Sequence, residues 1–181
     1  MSRRVARPYA AALFQVMERK GVGALREVEA QLATTADVFH RYPALLRTFE
    51  VPGVGAGRKQ KLLAEIGRAL QLRVEAQRLL AALAQHYRLR FLPDVVAALR
   101  ALVDRREGMV RGSVELPVAA TPQQVSALAK VLEERLGSRV ELESRSRPEL
   151  LAGFVVRVGS QVFDGSLRAQ LARFARSGKE R

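Results

Sequence analysis

The sequence contains no cysteine. That excludes disulfides and cysteine-based zinc sites, and it fits a reducing compartment. Tryptophan is also missing and aromatics make up only 6% of residues, so the core has to be built from Leu, Val and Ala. There are two histidines, His40 and His86. Each stands alone at the end of a helical pattern, with no HExxH-type spacing, so no metal site is expected. Long apolar runs are missing too. The longest in the first half is Leu79 to Ala84, far short of the ~20 residues that a bilayer-spanning helix needs. The opening MSRRVARPYAAALFQVM superficially resembles a targeting segment. Gln15 interrupts it, an amphipathic pattern follows, and no small-residue cleavage site appears, so it reads as the first helix of the fold.

Negative charge is scarce beside positive charge: 31 Lys and Arg face 18 Asp and Glu, a net charge of +13. Residues 1–106 carry 19 basic and 9 acidic side chains, a balance of +10, and residues 107–181 carry 12 and 9, a balance of +3. A basic first half fits nucleic acid, an anionic surface or acidic protein partners. The Arg residues are scattered through helical segments rather than gathered into a stripe, which is the pattern of a solvated face. The run Arg58-Lys59-Gln60-Lys61 is short and lacks interleaved aromatics, so no nucleic-acid partner is expected.

What the chain does have is 48% hydrophobic residues in two textures. Up to about Arg106 the periodicity is helical, with breaks at Gly21-Val22-Gly23, Tyr42-Pro43, Val51 to Gly57 and Phe91 to Asp94. The spacing predicts six helices, at 4–20, 24–40, 43–49, 57–70, 73–88 and 93–107, forming a bundle. From Met109 the β-branched content rises. A strand should end near Pro117. Thr121-Pro122-Gln123-Gln124 opens a helix to Leu136 with a capping box and a stop at Gly137. Further strands are expected at 139–144, 150–158 and 161–163, then a final helix, Leu167 to Arg176, capped by Ser166. The fold class is an N-terminal all-α six-helix bundle, residues 1–107, followed by a small α/β C-terminal domain, residues 108–181.

Two helices have apolar faces wider than one core requires. At 100° per residue, Val5, Ala6, Tyr9, Ala10, Ala12, Leu13, Phe14, Val16 and Met17 cover about 200° of the first helix, whereas a stripe of about 100° suffices to pack on one core. In the fifth, Val74, Ala81 and Ala84 widen the face made by Ala76, Leu79, Leu80, Leu83 and Tyr87, and small Ala82 lies among Arg78, Gln85 and Glu75. Either both helices are central in the bundle, or they form a groove for a partner's amphipathic helix.

No constellation for catalysis emerges. Val51 to Gln60, VPGVGAGRKQ, has the glycines and Lys59 of a phosphate loop but only three residues between Gly53 and Gly57, Arg58 before the lysine, Gln60 in place of the hydroxyl and no preceding strand. A GxSxG elbow is absent. Glu133-Glu134 and the Glu141/Glu143 pair read as solvated faces. No cofactor is expected, and the chain does not read as an enzyme.

Three segments carry a family resemblance. Val5-Ala-Arg-Pro-Tyr-Ala-Ala-Ala-Leu-Phe14, Gln85-His-Tyr-Arg-Leu-Arg-Phe-Leu-Pro-Asp94, and Val140 to Leu171 with Leu151-Ala152-Gly153 and Asp164-Gly165-Ser166 resemble, in order, the signatures of the F-type ATP synthase delta (oligomycin-sensitivity-conferring) subunits. The chain departs from them at Arg147, where the family usually has an acid, and at Ala152 and Tyr87, where it usually has glycine. The resemblance implies a non-catalytic peripheral-stalk subunit that links the catalytic head to the b-subunit stalk. It implies a groove between the first and fifth helices for an alpha-subunit N-terminal helix, with Tyr9, Ala12, Leu13, Val16 and Ala82 as contacts. Arg168, Arg173 and Arg176 are the expected contacts to acidic b-type chains. The expected location is the cytoplasmic face of the bacterial inner membrane, held there only through the complex.

Overall fold

Alanine, leucine and arginine at helical spacing fold the first half into helices whose apolar stripes converge on one core. The computed structural model describes residues 2–51, 53–118, 120–150, 152–159, 161–167 and 169. The chain divides into two units, Met1–Glu107 and Gly108–Arg181.

The first unit holds α1 (Ser2–Glu18), α2 (Val22–Arg41), α3 (Pro43–Glu50), α4 (Ala56–Ala69), α5 (Val74–Gln85), a 3-10 turn (Leu89–Phe91) and α6 (Leu92–Arg106). Seven helical elements therefore stand where six were expected. The difference arises at the fifth helix, which stops at Gln85 rather than residue 88. There Tyr87 takes φ 55°. Its N–H donates to the Ala84 carbonyl at 3.1 Å and the Arg88 N–H donates to the Leu83 carbonyl at 2.8 Å, the two bonds of a Schellman cap. The same cap closes α4, where Gln71 has φ 50° and Leu72 N–H bonds the Gly67 carbonyl at 2.8 Å.

Met17, Leu25, Leu32, Phe49, Leu80, Leu83, Leu92 and Leu99 are the large side chains sealed inside this unit. Phe39 meets the edge of Phe49 with ring centroids 5.9 Å apart. Burying such side chains is worth about 1.5–3 kcal/mol each, so the packed faces rather than intrinsic propensity hold these short helices.

The second unit is a four-stranded sheet of β1 (Met109–Leu116), β2 (Arg139–Ser146), β3 (Val155–Val158) and β4 (Gln161–Asp164), with α7 (Pro122–Leu136) between β1 and β2 in sequence. The strand order is β2-β1-β3-β4. β1 runs parallel to β2 and antiparallel to β3, and β3 pairs antiparallel with β4. Val114, Val140, Val156, Val158 and Leu132 form its buried centre, with Val125, Leu128 and Leu136 of α7 packed against it. On the opposite face Arg111 of β1 pairs with Glu141 of β2 at 2.8 Å, and Arg147, one residue past β2, pairs with Glu115 of β1 at 2.8 Å. The capping box of α7 is formed: Gln124 N–H donates to Thr121 Oγ1 at 3.3 Å and Thr121 N–H to Gln124 Oε1 at 3.0 Å.

The strand expected from Leu150 begins only at Val155. Gly153, at φ 91°, turns the chain tightly against the next turn. A Cβ there would lie 2.3 Å from the Gly165 carbonyl oxygen. Gly165 N–H donates to the Phe154 carbonyl at 2.9 Å and Leu167 N–H to the Ala152 carbonyl at 3.0 Å. Ser166 Oγ accepts from Ala169 N–H at 3.2 Å, the N-cap bond expected at the start of a helix. The remainder of the expected helix to Arg176, including Arg168, Arg173 and Arg176, lies outside the described residues.

Candidate functional site

The excess width of the first helix is mostly used up inside the bundle. Ala6, Ala10, Leu13 and Met17 are buried, and Val5, Tyr9 and Phe14 are half-buried. Ala12 and Val16 remain exposed, Val16 at 60%. On α5 the residues Ala76, Leu79, Leu80, Leu83 and Ala84 face the core. Ala82 is half-buried and Val74 is 56% exposed.

Two polar contacts tie α1 to α5, one near each end. Arg88, just beyond α5, donates from Nη1 to Tyr9 Oη at 3.0 Å and lies 5.9 Å from that ring's centroid. Lys20, just beyond α1, donates to Glu75 in the first turn of α5. The two helices are therefore antiparallel neighbours. From Tyr9 to Lys20 is about 16 Å at 1.5 Å per residue, three helical turns. Along that length Tyr9, Ala12 and Val16 recur at the spacing of one helix face. Lys20, Arg78 and Arg88 make its surroundings basic. The hydrogen bond from Lys20 holds the Glu75 carboxyl below its ordinary range, with a lesser contribution from Arg73.

Of the five residues expected to line a groove here, Ala12 and Val16 are exposed and Tyr9 and Ala82 half-buried, whereas Leu13, 6% exposed, belongs to the core. Lys20, Glu75 and Arg88 had not been singled out as site residues. Lys20 continues the face of Tyr9 and Val16 and Glu75 precedes Ala82 by two turns, so helical spacing was the available signal.

The phosphate-loop lookalike is accounted for differently. Lys59 is 8% exposed. Its ammonium donates to the carbonyls of Phe49 and Val51, each at 2.9 Å, and lies 4.5 Å from the Tyr87 ring centroid. Its charge closes the end of α3 and packs against the cap of α5, so it is committed to structure. A cavity of about 360 Å³ beside it is walled by Leu63, Ala81, Ala84, Gln60 and Gln85. Among the described residues no group of three or more His, Asp or Glu is arranged to hold a metal. No helix among them is long and apolar enough to cross a membrane.

At Arg147, where an acid is usual in the resembled family, the backbone N–H donates to Leu116 O at 2.7 Å and the guanidinium bonds Glu115 at 2.8 Å. The turn after β2 thus holds with a basic residue in place.

The comparisons bear on the fold and the family. The family model described as the ATP synthase delta (OSCP) subunit matches residues 5–177. ATP synthase subunit delta of Nitratidesulfovibrio vulgaris is 32% identical over 167 residues, 92% of this chain and 91% of the relative. The subunit delta of Maricaulis maris is 31% identical over 180 residues, 99% of each chain. A chain in the cryo-EM structure of the Toxoplasma gondii mitochondrial ATP synthase hexamer shares the fold at TM-score 0.69 and 22% identity, covering 98% of this chain and 96% of that one. A match along nearly the whole length, with its signature segments falling on the α1–α5 face, the α5–α6 link and the Gly153 turn, leads to one conclusion: the chain belongs to the ATP synthase delta (OSCP) subunit family.

Proposed function

We propose that this chain, a non-catalytic stator subunit of an F-type ATP synthase, seats the N-terminal helix of an alpha subunit on its α1–α5 face. The observation that carries the reading is that α1 and α5, tied to each other by Arg88–Tyr9 and Lys20–Glu75, leave Ala12 and Val16 exposed and Ala82 half-buried. Small side chains let a second backbone approach, and Tyr9 offers an amphipathic edge. The first unit is read as the six-helix bundle of the head contact, with the 3-10 turn as part of the α5–α6 link. Residues 108–181 are assigned to b-type stalk chains, with Arg168, Arg173 and Arg176 setting encounter rate and specificity. The chain reaches the cytoplasmic face of the bacterial inner membrane only through the complex.

The test is binding of a peptide copying the alpha-subunit N-terminus. Tyr9→Ala weakens it by about 2 kcal/mol, the scale of an aromatic anchor. Ala82→Trp blocks it while the helical circular dichroism stays native. Unchanged affinity in both variants moves the site elsewhere.

A further inference from the structure

A cluster of charge in the first unit has no part in the docking face. Arg26 of α2 donates to Glu107 through both Nε, at 3.1 Å, and Nη2. Nη2 also reaches Asp104 Oδ1 at 2.5 Å, and Nη1 reaches Glu29 Oε2 at 3.3 Å. Arg100 of α6 donates from Nε to the other oxygen of Glu29 at 2.7 Å. Glu29 and Asp104 are only 5% and 7% exposed. Burial alone lowers the Arg26 pKa, but the hydrogen bonds from its guanidinium to Glu107 and Asp104 outweigh that and hold it above the ordinary arginine value.

The location gives the cluster its meaning. Asp104 is in the last turn of α6 and Glu107 is its C-cap, with its N–H on the Val103 carbonyl at 3.0 Å. Acids at a helix C-terminus oppose the negative end of the macrodipole, and two of them there favour fraying. Arg26 reverses that by forking across both. Gly108 follows at φ 64°, and β1 starts at Met109. One residue therefore separates the cap of α6 from the first strand of the second unit.

We propose that Arg26 is a positioning residue that latches the last turn of α6 and keeps that helix from fraying where the first unit ends. The value of an unfrayed end rests on the stator reading above, whereas the latch itself is measured without it. Two carboxylates at a helix end have no value to that helix alone. They acquire one as a grip for a guanidinium on α2.

The test is amide hydrogen exchange on the full chain. In Arg26→Gln the amides of Asp104 to Gly108 exchange about tenfold faster or more, while those of α1, α4 and α7 keep their rates. Arg26→Lys, which keeps the charge but not the fork, falls between the two. Unchanged exchange at Asp104 to Gly108, or an equal acceleration through all of residues 1–107, overturns the latch. If Arg26→Gln does not fold, Glu107→Gln leaves no bare buried charge and gives the same local reading. Alpha-peptide affinity in these variants stays at the wild-type level. Its loss alongside accelerated exchange confined to Asp104 to Gly108 counts against the docking face and not against the latch.

Discussion

Gln71 and Tyr87 hold backbone angles that glycine adopts without cost, at φ 50° and 55°. A side chain in that region costs about 1–2 kcal/mol. Gln71 has an exposed side chain, so Gln71→Gly relieves the strain at the expense of a floppier unfolded chain. The expected net gain is about 0.5–1 kcal/mol, read as a higher urea midpoint at unchanged m value. Tyr87 differs because its ring packs against the Lys59 ammonium, a contact worth about 0.5–2 kcal/mol. Tyr87→Gly therefore gains less than Gln71→Gly, and an equal or larger gain refutes a stabilising role for the ring. Gln71 was not legible in the sequence, since a non-glycine at such a position follows from how two helices must be joined, and Tyr87 was marked only by the family resemblance, as standing where glycine is usual. Features that close on themselves within four residues were legible: the Thr121–Gln124 box, the stop at Gly137 and the Asp164-Gly165-Ser166 turn.

The element that carries the proposed docking is the α1–α5 pair. Its unusual apolar width could be read from helical periodicity alone. Which part of that width the bundle covers could not, because Leu13 and Ala12 differ by 100° of rotation and only the packing of neighbouring helices decides between them. The ends of the pair were equally hidden, as Lys20 and Glu75 are 55 positions apart. The tie between them gives a prediction with a definite sign. Glu75 titrates below its ordinary value near 4.5, so the folded state binds its proton more weakly than the unfolded state does. The stability this supplies is complete above that ordinary value and is lost as pH falls through the lowered one. The stability difference between wild type and Lys20→Met should be present at pH 6 and shrink on acidification, as followed by urea unfolding at a series of pH values. A difference that stays constant with pH would show that Lys20 acts by packing alone.

At the scale of the molecule, the change of texture at Glu107-Gly108 was visible in composition, because a helical half and a β-rich half use different residues. The order of strands was not, since the alternation of Val140 and Leu142 marks a half-buried strand without naming its neighbour. Among the described residues the core cluster of this unit draws on positions between Ala6 and Val103, so residues 1–107 expressed alone should fold cooperatively with a helical spectrum and a single urea transition. A molten or aggregated fragment would mean that the second half completes the first. The order β2-β1-β3-β4 carries a further consequence for how the chain is made. The first strand to be synthesised is an inner one, and its antiparallel partner is not translated until much later. At about 5–20 residues per second, the ribosome needs roughly 2–10 s to travel from Met109 to Val158, the end of that partner. Throughout that interval the nascent β1 offers one open flank, and only the parallel β2 and the cover of α7 can shelter the rest. A slowly translated codon placed after residue 146, which lengthens that exposure, is therefore where the yield of the second half should suffer first.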